Sequence, residues 1–294
     1  MTLIAVFEEI RSDALSIMKD VFGNYVIQKC LEFGPKEHIY SLFEEIQGSI
    51  LEMTKHVYGC RVVQKFIEIM DVENQRKILN EIKVSIVECI YDLYGNHVVQ
   101  KIIEKVPYEE ISFIQDYVED KLKDLCMHAY GCRIIQRILE NCPQSCTDPI
   151  YGQIIDKYVP ELSKDQFGNY VIQLILEKGK RKEDKRAICQ SLLGDARLLS
   201  VHKYASNVVE KCIEFCESED KELIIKELLG EDNLSDKAEG LSLYNMMDNK
   251  YGNYVVQKAI EGANSTLRMN FYNKIKSSEI VNSQTSNYIK HVIN

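Results

Sequence analysis

The chain has 294 residues, 45% of them hydrophobic, with five prolines and a formal net charge of −9. No run approaches the roughly 18 apolar residues of a membrane span, and the N-terminal MTLIAVFEEI meets acidic residues before an apolar core of signal-peptide length can form. Both features argue against a membrane or signal-bearing chain, and the composition agrees with a soluble, intracellular, all-helical one.

Residues before Asp20 read as a single helix. From there one six-residue helical pattern recurs in frame: NYVIQK at Asn24, CRVVQK at Cys60, NHVVQK at Asn96, CRIIQR at Cys132, NYVIQL at Asn169, SNVVEK at Ser206 and NYVVQK at Asn253. A small residue anchors each one: Gly23, Gly59, Gly95, Gly131, Gly168, Ala205 and Gly252, spaced 36 or 37 residues apart except for 47 before the last. Self-similarity at that period predicts a solenoid whose repeats stack on their neighbours, and so one elongated domain over 1–294. Between the segments, apolar residues such as Ile39, Leu42, Phe43 and Ile46 keep helical spacing. The extra residues of the widest gap, near Gly230 to Gly240, read as a polar, acidic loop.

At 3.6 residues per turn the first, second and fifth residues of a segment share one face, and the two central aliphatics point the opposite way. Each segment is thus expected to display a polar triad over a buried pair. The triads are Asn24, Tyr25 and Gln28; Cys60, Arg61 and Gln64; Asn96, His97 and Gln100; Cys132, Arg133 and Gln136; Asn169, Tyr170 and Gln173; Ser206, Asn207 and Glu210; and Asn253, Tyr254 and Gln257. Lys29, Lys65, Arg137, Lys211 and Lys258 fall on the margin, where a phosphate backbone would be met. The aromatics before the anchors, Phe22, Tyr58, Tyr94, Tyr130, Phe167, Tyr204 and Tyr251, are expected to pack between repeats.

Stacked helices lie about 8–10 Å apart, while stacked bases lie roughly 3.4 Å apart, so a planar side chain between successive bases would bring the two rows closer in register. All second-position residues except Asn207 are rings or guanidinium planes, suited to base stacking. The outer members then offer hydrogen-bond patterns to base edges. The Glu210 carboxylate only accepts, matching the adjacent N–H donors of guanine. Asn with Gln combines donors and acceptors for uracil, and Cys with Gln sets one amide against adenine while the thiol fills space.

The other features fit this reading. Ten cysteines include no CxxC pair, which predicts reduced, packed thiols and no metal or other cofactor. His56, His128 and His202 recur before their triads, consistent with repeat packing, and the absence of HExxH, GxSxG or a phosphate-binding glycine loop argues against an enzyme. The seven segments carry net positive charge, so the rest of the chain is more acidic than the total of −9.

The segments and their flanks, DVFGNYVIQK from Asp20, VYGCRVVQK from Val57, LYGNHVVQK from Leu93, AYGCRIIQR from Ala129, QFGNYVIQL from Gln166 and YGNYVVQKAIE from Tyr251, resemble repeats two to eight of the PUF (Pumilio) RNA-binding domain. The resemblance covers essentially the whole chain. It implies a right-handed α-solenoid of Pumilio-type three-helix repeats forming a curved superhelix, with 1–19 as the remnant of a first repeat and about 266–294 as a C-terminal capping repeat. It also implies one base per repeat with the RNA antiparallel to the protein, hence a preference for single-stranded 5′-UGUAUAU. By the same resemblance the targets are mRNA 3′ untranslated regions, the outcome is post-transcriptional repression with deadenylase and translational repressor partners, and the protein is a cytoplasmic monomer. Two rivals fit less well. A peptide-binding scaffold of the armadillo or HEAT kind would not explain why the triads alternate among base-matching sets, and a PUF-related ribosome-assembly RNA-binding protein would have degenerate triads.

Overall fold

The computed structural model describes residues 3–230 and 241–277, and every regular element among them is helical. They belong to two compact units, Met1–Pro149 and Ile150–Asn294. The acidic loop expected after Gly230, and the end of the expected capping repeat from residue 278, lie outside the described residues.

Seven repeats follow one another along the chain, each with a short first helix, a second helix and a longer or broken third. The second helices are Gly23–Phe33, Gly59–Ile69, Gly95–Lys105, Gly131–Asn141, Gly168–Lys178, Ala205–Phe215 and Gly252–Gly262, each of 11 residues. Within the first unit, the second helices of repeats one to four pack side by side in chain order; within the second unit, those of repeats five to seven do the same. What joins them is the central aliphatic pair: Val62 with Val63, Val98 with Val99, Ile134 with Ile135, Val171 with Ile172, Val208 with Val209 and Val255 with Val256 are all fully buried. Each such side chain contributes about 1.5–3 kcal/mol on leaving water.

The turn between first and second helices has a local chemical cause. The residue three before each anchor turns its side chain onto the orphan N–H groups that open the second helix. Asp20 Oδ1 accepts from the backbone N–H of Phe22 and Gly23 at 2.9 and 2.7 Å, and Asp92, Asp165 and Asn249 repeat this. His56, His128 and His202 do it with Nδ1 at 3.1–3.3 Å, so these imidazoles are capping acceptors, a more specific role than packing. At the other end the chain turns extended, at Gly34, Val106 and Cys142 because a proline follows.

The anchors are small because the second helix starts against the end of the first. A side-chain carbon at Gly131 would lie 2.6 Å from the Leu125 carbonyl oxygen, and one at Gly252 equally close to that of Met246. Only repeat six carries a methyl there, on the buried Ala205. Gly131→Val is therefore expected to lower stability by about 1–3 kcal/mol in urea denaturation, and Gly131→Ala by less.

Third helices in repeats two and six close their own repeat with a carboxylate. Glu81 accepts from the backbone N–H of Gly48 and Ile50 at 2.8 and 3.0 Å, and Glu227 from Gly194 and Ala196 at 2.8 and 2.7 Å. Gly48 and Gly194 have φ of +84° and +87°, a conformation that disfavours any side chain.

The stretch before Asp20 differs from the single helix expected. It holds two, Leu3–Arg11 and Ala14–Lys19, broken around Ser12 and Asp13. Ala14–Lys19 packs on Gly23–Phe33 as the first helix of repeat one, whereas Leu3–Arg11 packs on the third helix, Lys36–Ile46. Ala14–Lys19 therefore belongs with repeat one, not with the stretch expected to precede it. No helix among the described residues is long and apolar enough to cross a membrane. The cysteines are free, and all but Cys142 are buried.

Candidate nucleic-acid interface

The first turn of each second helix repeats one exposure pattern. The second triad residue is exposed in every repeat: Tyr25, Arg61, His97, Arg133, Tyr170, Asn207 and Tyr254. The fifth is half-buried: Gln28, Gln64, Gln100, Gln136, Gln173, Glu210 and Gln257. The first member departs from the expected display. Asn24, Cys60, Asn96, Cys132, Asn169, Ser206 and Asn253 are each no more than 3% exposed. It lies against the preceding loop, not on the open face.

Hydrogen bonding explains that burial. Asn24 Nδ2 donates to the carbonyls of Asp20 and Val21 at 2.9 and 3.0 Å, and Asn96 to those of Asp92 and Leu93, both at 2.9 Å. Asn169 and Asn253 donate to Asp165 and Asn249. The amide adds a second donor to carbonyls that already accept from the backbone N–H of the same asparagine, and in repeats one and three it also reaches the loop carbonyls of Val21 and Leu93. Its Oδ1 accepts from the glutamine one turn on: Gln28 at 3.0 Å, Gln100 at 3.0 Å and Gln173 at 2.7 Å. In the cysteine repeats, Gln64 and Gln136 instead donate to the backbone carbonyls of Cys60 and Cys132 at 3.0 Å.

Gln28, Gln64, Gln100, Gln136 and Gln173 are thereby held through Nε2, which leaves Oε1 and an N–H as an acceptor and donor pair. Asparagine adds only a spare Oδ1 lone pair. Cysteine adds a thiol turned onto Val57 or Ala129 at 3.5 Å. The amide orientations follow from the hydrogen-bond network itself.

Repeat six is different in kind. Burial pushes the Glu210 carboxyl up, with Lys258 and Lys211 pulling it partly back. A carboxylate here accepts only, and its desolvation is relieved by any ligand that brings N–H donors. Burial lowers the His97 imidazole, and the nearby Arg61 guanidinium lowers it further, so this ring favours the neutral, stacking form.

The marginal bases are not free charges. Lys29 pairs with Glu32 at 2.7 Å, Lys65 with Glu68 at 3.7 Å, Lys258 with Glu261 at 3.4 Å, Lys211 with Glu214 and Glu177, and Arg137 with Glu140 and Glu104. The positive surplus of the six-residue segments is largely offset one turn later. Such exposed pairs are worth little individually and open readily.

The loop caps Asp20, His56, Asp92, His128, Asp165, His202 and Asn249 are structural partners of the site that the triad pattern alone passes over. Their signal is a polar acceptor locked in phase three residues before each anchor.

The sequence matches the Pumilio-family RNA binding repeat over residues 13–47, 49–83, 85–117, 122–155, 158–193, 197–229 and 244–276. A Pumilio domain-containing protein of Schizosaccharomyces pombe is 35% identical over 127 residues, 42% of this chain and 17% of that protein; Pumilio homolog 12 of Arabidopsis thaliana is 33% identical over 132 residues, 45% and 20% respectively. The matched stretches are thus about a fifth of those relatives' length. Among solved structures, the Puf3 RNA binding domain bound to a Cox17 RNA 3′ UTR recognition sequence superposes with a TM-score of 0.88 at 34% identity, covering 98% of this chain and 85% of that one. PUF-8 in complex with PBE-RNA gives 0.84 at 34% identity, covering 98% and 82%.

Proposed function

Because this chain belongs to the Pumilio (PUF) family of RNA-binding repeat proteins, we propose that it reads single-stranded RNA one base per repeat, antiparallel to the polypeptide, with 5′-UGUAUAU as its preferred heptamer. RNA binding, not catalysis, is the property that goes with the family. The observation that carries the finer reading is the sevenfold phase: an exposed residue, a ring or guanidinium everywhere except in repeat six, beside a half-buried amide or carboxylate. Repeat seven, with Asn253, Tyr254 and Gln257, takes the 5′ uracil. Ser206, Asn207 and Glu210 take the guanine. Repeats five, three and one take uracil through Asn169, Asn96 and Asn24 with Gln173, Gln100 and Gln28. Repeats four and two take adenine through Gln136 and Gln64, where Cys132 and Cys60 withhold the extra acceptor. Arg133, Arg61, His97, Tyr170 and Tyr25 stack between successive bases.

The similar Puf3 and Puf4 domains were solved on 3′ UTR recognition sequences. They support mRNA 3′ untranslated regions as the class of target. The proposal extends to a cytoplasmic monomer acting in post-transcriptional repression through deadenylase and translational repressor proteins. Selection from a random RNA pool tests every repeat at once. Enrichment of UGUAUAU is the expected result, and a motif unrelated to the order of the triads would defeat the assignment.

Salt dependence is a separate check. With the marginal bases paired to Glu32, Glu68, Glu104, Glu140, Glu177, Glu214 and Glu261, few condensed counterions are released on binding. A plot of log K against log salt is expected to be shallow, with a slope corresponding to about two to four phosphates. A slope corresponding to eight or more would mean that the backbone, not the bases, carries affinity.

A further inference from the structure

The imidazole caps stand in step with the bases assigned above. Repeats two, four and six, assigned to adenine, adenine and guanine, are capped by His56, His128 and His202, and the four uracil repeats by Asp20, Asp92, Asp165 and Asn249. In repeat two the cap, the first turn and the reading amide form one chain of bonds. His56 Nδ1 accepts from the N–H of Tyr58 and Gly59 at 3.2 and 3.1 Å, the His56 carbonyl from the N–H of Cys60 at 3.0 Å, and the Cys60 carbonyl from Gln64 Nε2 at 3.0 Å. Repeat four does the same through His128, Tyr130, Gly131, Cys132 and Gln136, at 3.0–3.2 Å. In repeats three and five the glutamine is held by an asparagine side chain instead, Gln100 by Asn96 Oδ1 and Gln173 by Asn169 Oδ1, and Gln28 uses both holds.

We propose that His56 and His128 are positioning residues for adenine reading, each fixing the carbonyl from which Gln64 or Gln136 is held. The inference rests on the base assignment given above. The thiols of Cys60 and Cys132 are turned onto Val57 and Ala129, so the backbone of the first turn holds the glutamine. That turn stays wound while its leading N–H groups have an acceptor. Repeat six has the cap without the last link, because an ionised Glu210 has no N–H to give the Ser206 carbonyl. An imidazole can cap only while Nδ1 is unprotonated: a proton there would face two N–H donors, and its charge would oppose the positive end of the helix. Imidazole ordinarily titrates at about pH 6.5, whereas aspartate stays ionised to about pH 4 and asparagine does not titrate. Acidification therefore removes the acceptor from repeats two and four and spares the uracil repeats. Both rings are half-buried, within reach of solvent protons. Glu52, paired with Lys19, and Tyr58 stand around His56; Tyr91 and Tyr130 stand around His128, with Asp124 near Tyr91.

Fluorescence titration of the intact chain at about pH 7.5 and about pH 5.5 tests this. The strands are UGUAUAU and heptamers with uracil for adenine at the fourth or sixth base, read by repeats four and two, or cytosine for uracil at the third. Adenine preference at both bases is expected to fall at least about threefold on acidification, and uracil preference at the third base to change by less than about twofold. His56→Asp gives repeat two the loop chemistry of Asp20, Val21, Phe22 and Gly23 in repeat one. It is expected to hold the preference at base six constant with pH while that at base four still fades, and His128→Asp to do the reverse. His56→Asn, with the cap of repeat seven, checks the same point without adding charge. His97 titrates as well, but it is common to all these proteins, so rescue at the matching base is the deciding result. Adenine preference that is independent of pH in the wild type, that fades equally in His56→Asp, or that stays constant while all heptamers weaken alike would overturn the proposal. Absence of adenine preference at neutral pH would defeat the base assignment instead.

Discussion

Replacing the guanine of 5′-UGUAUAU with adenine is expected to weaken binding by about 1–3 kcal/mol in a fluorescence titration. The cause lies in one half-buried carboxylate. Glu210 has lost part of its hydration, which pushes its carboxyl up, and guanine alone presents two adjacent N–H donors able to replace that water. Adenine would set a ring nitrogen acceptor against one carboxylate oxygen, so at most its amino N–H could donate to the other. Glu210→Gln, which keeps the shape and removes the charge, should erase most of this difference at the second base and leave preferences at the other six unchanged. Equal discrimination by the wild type and Glu210→Gln would show that the carboxylate does not read that base.

The pH dependence has a definite sign. Because the Glu210 carboxyl is raised, it takes up a proton at a higher pH than an exposed glutamate, whose ordinary value is about 4.3. Guanine preference is therefore full near neutrality and fades as pH falls through that raised value, before ordinary exposed carboxylates titrate. Binding of the adenine-substituted heptamer should change less over the same interval, so the ratio of the two affinities isolates Glu210 from global acid effects. Guanine preference that strengthens on acidification would contradict the assignment.

Glu227→Ala is expected to lower the unfolding free energy by about 3 kcal/mol, measured by urea denaturation. The side chain is fully buried and accepts from the backbone N–H groups of Gly194 and Ala196. Removing it leaves two donors that open the first helix of repeat six without partners, each worth about 1–3 kcal/mol where water cannot enter. Glu81→Ala makes the same deletion in repeat two, but there the carboxylate is half-buried and the bond to Gly48 is exposed, so water takes over and the loss should be about 1 kcal/mol or less. Similar losses for the two substitutions would mean that burial does not govern this contact.

The repeat period, the all-helical class and the position of every second helix were legible because the same local solution is written seven times. An aliphatic pair can be buried only if it recurs in phase with its neighbours, and a close helix contact admits only glycine or alanine at the anchor. The loop caps were visible as an in-phase set of Asp, His and Asn, yet the histidines read as packing groups because a sequence does not say which ring nitrogen faces which N–H. The two helices before Asp20 escaped because a break around Ser12 and Asp13 leaves no anchor glycine to announce it.

By itself, the sequence determined the helical repeat architecture and the exposed second position of each triad, since periodicity and side-chain chemistry are local properties repeated in register. Only the tertiary structure decided how those residues are held. It turned the asparagines inward onto loop carbonyls, tied the marginal lysines and Arg137 to glutamates and raised the Glu210 carboxyl by burial. Each of these depends on the distance between groups in different turns, helices or repeats, a quantity that spacing along the chain constrains but does not fix.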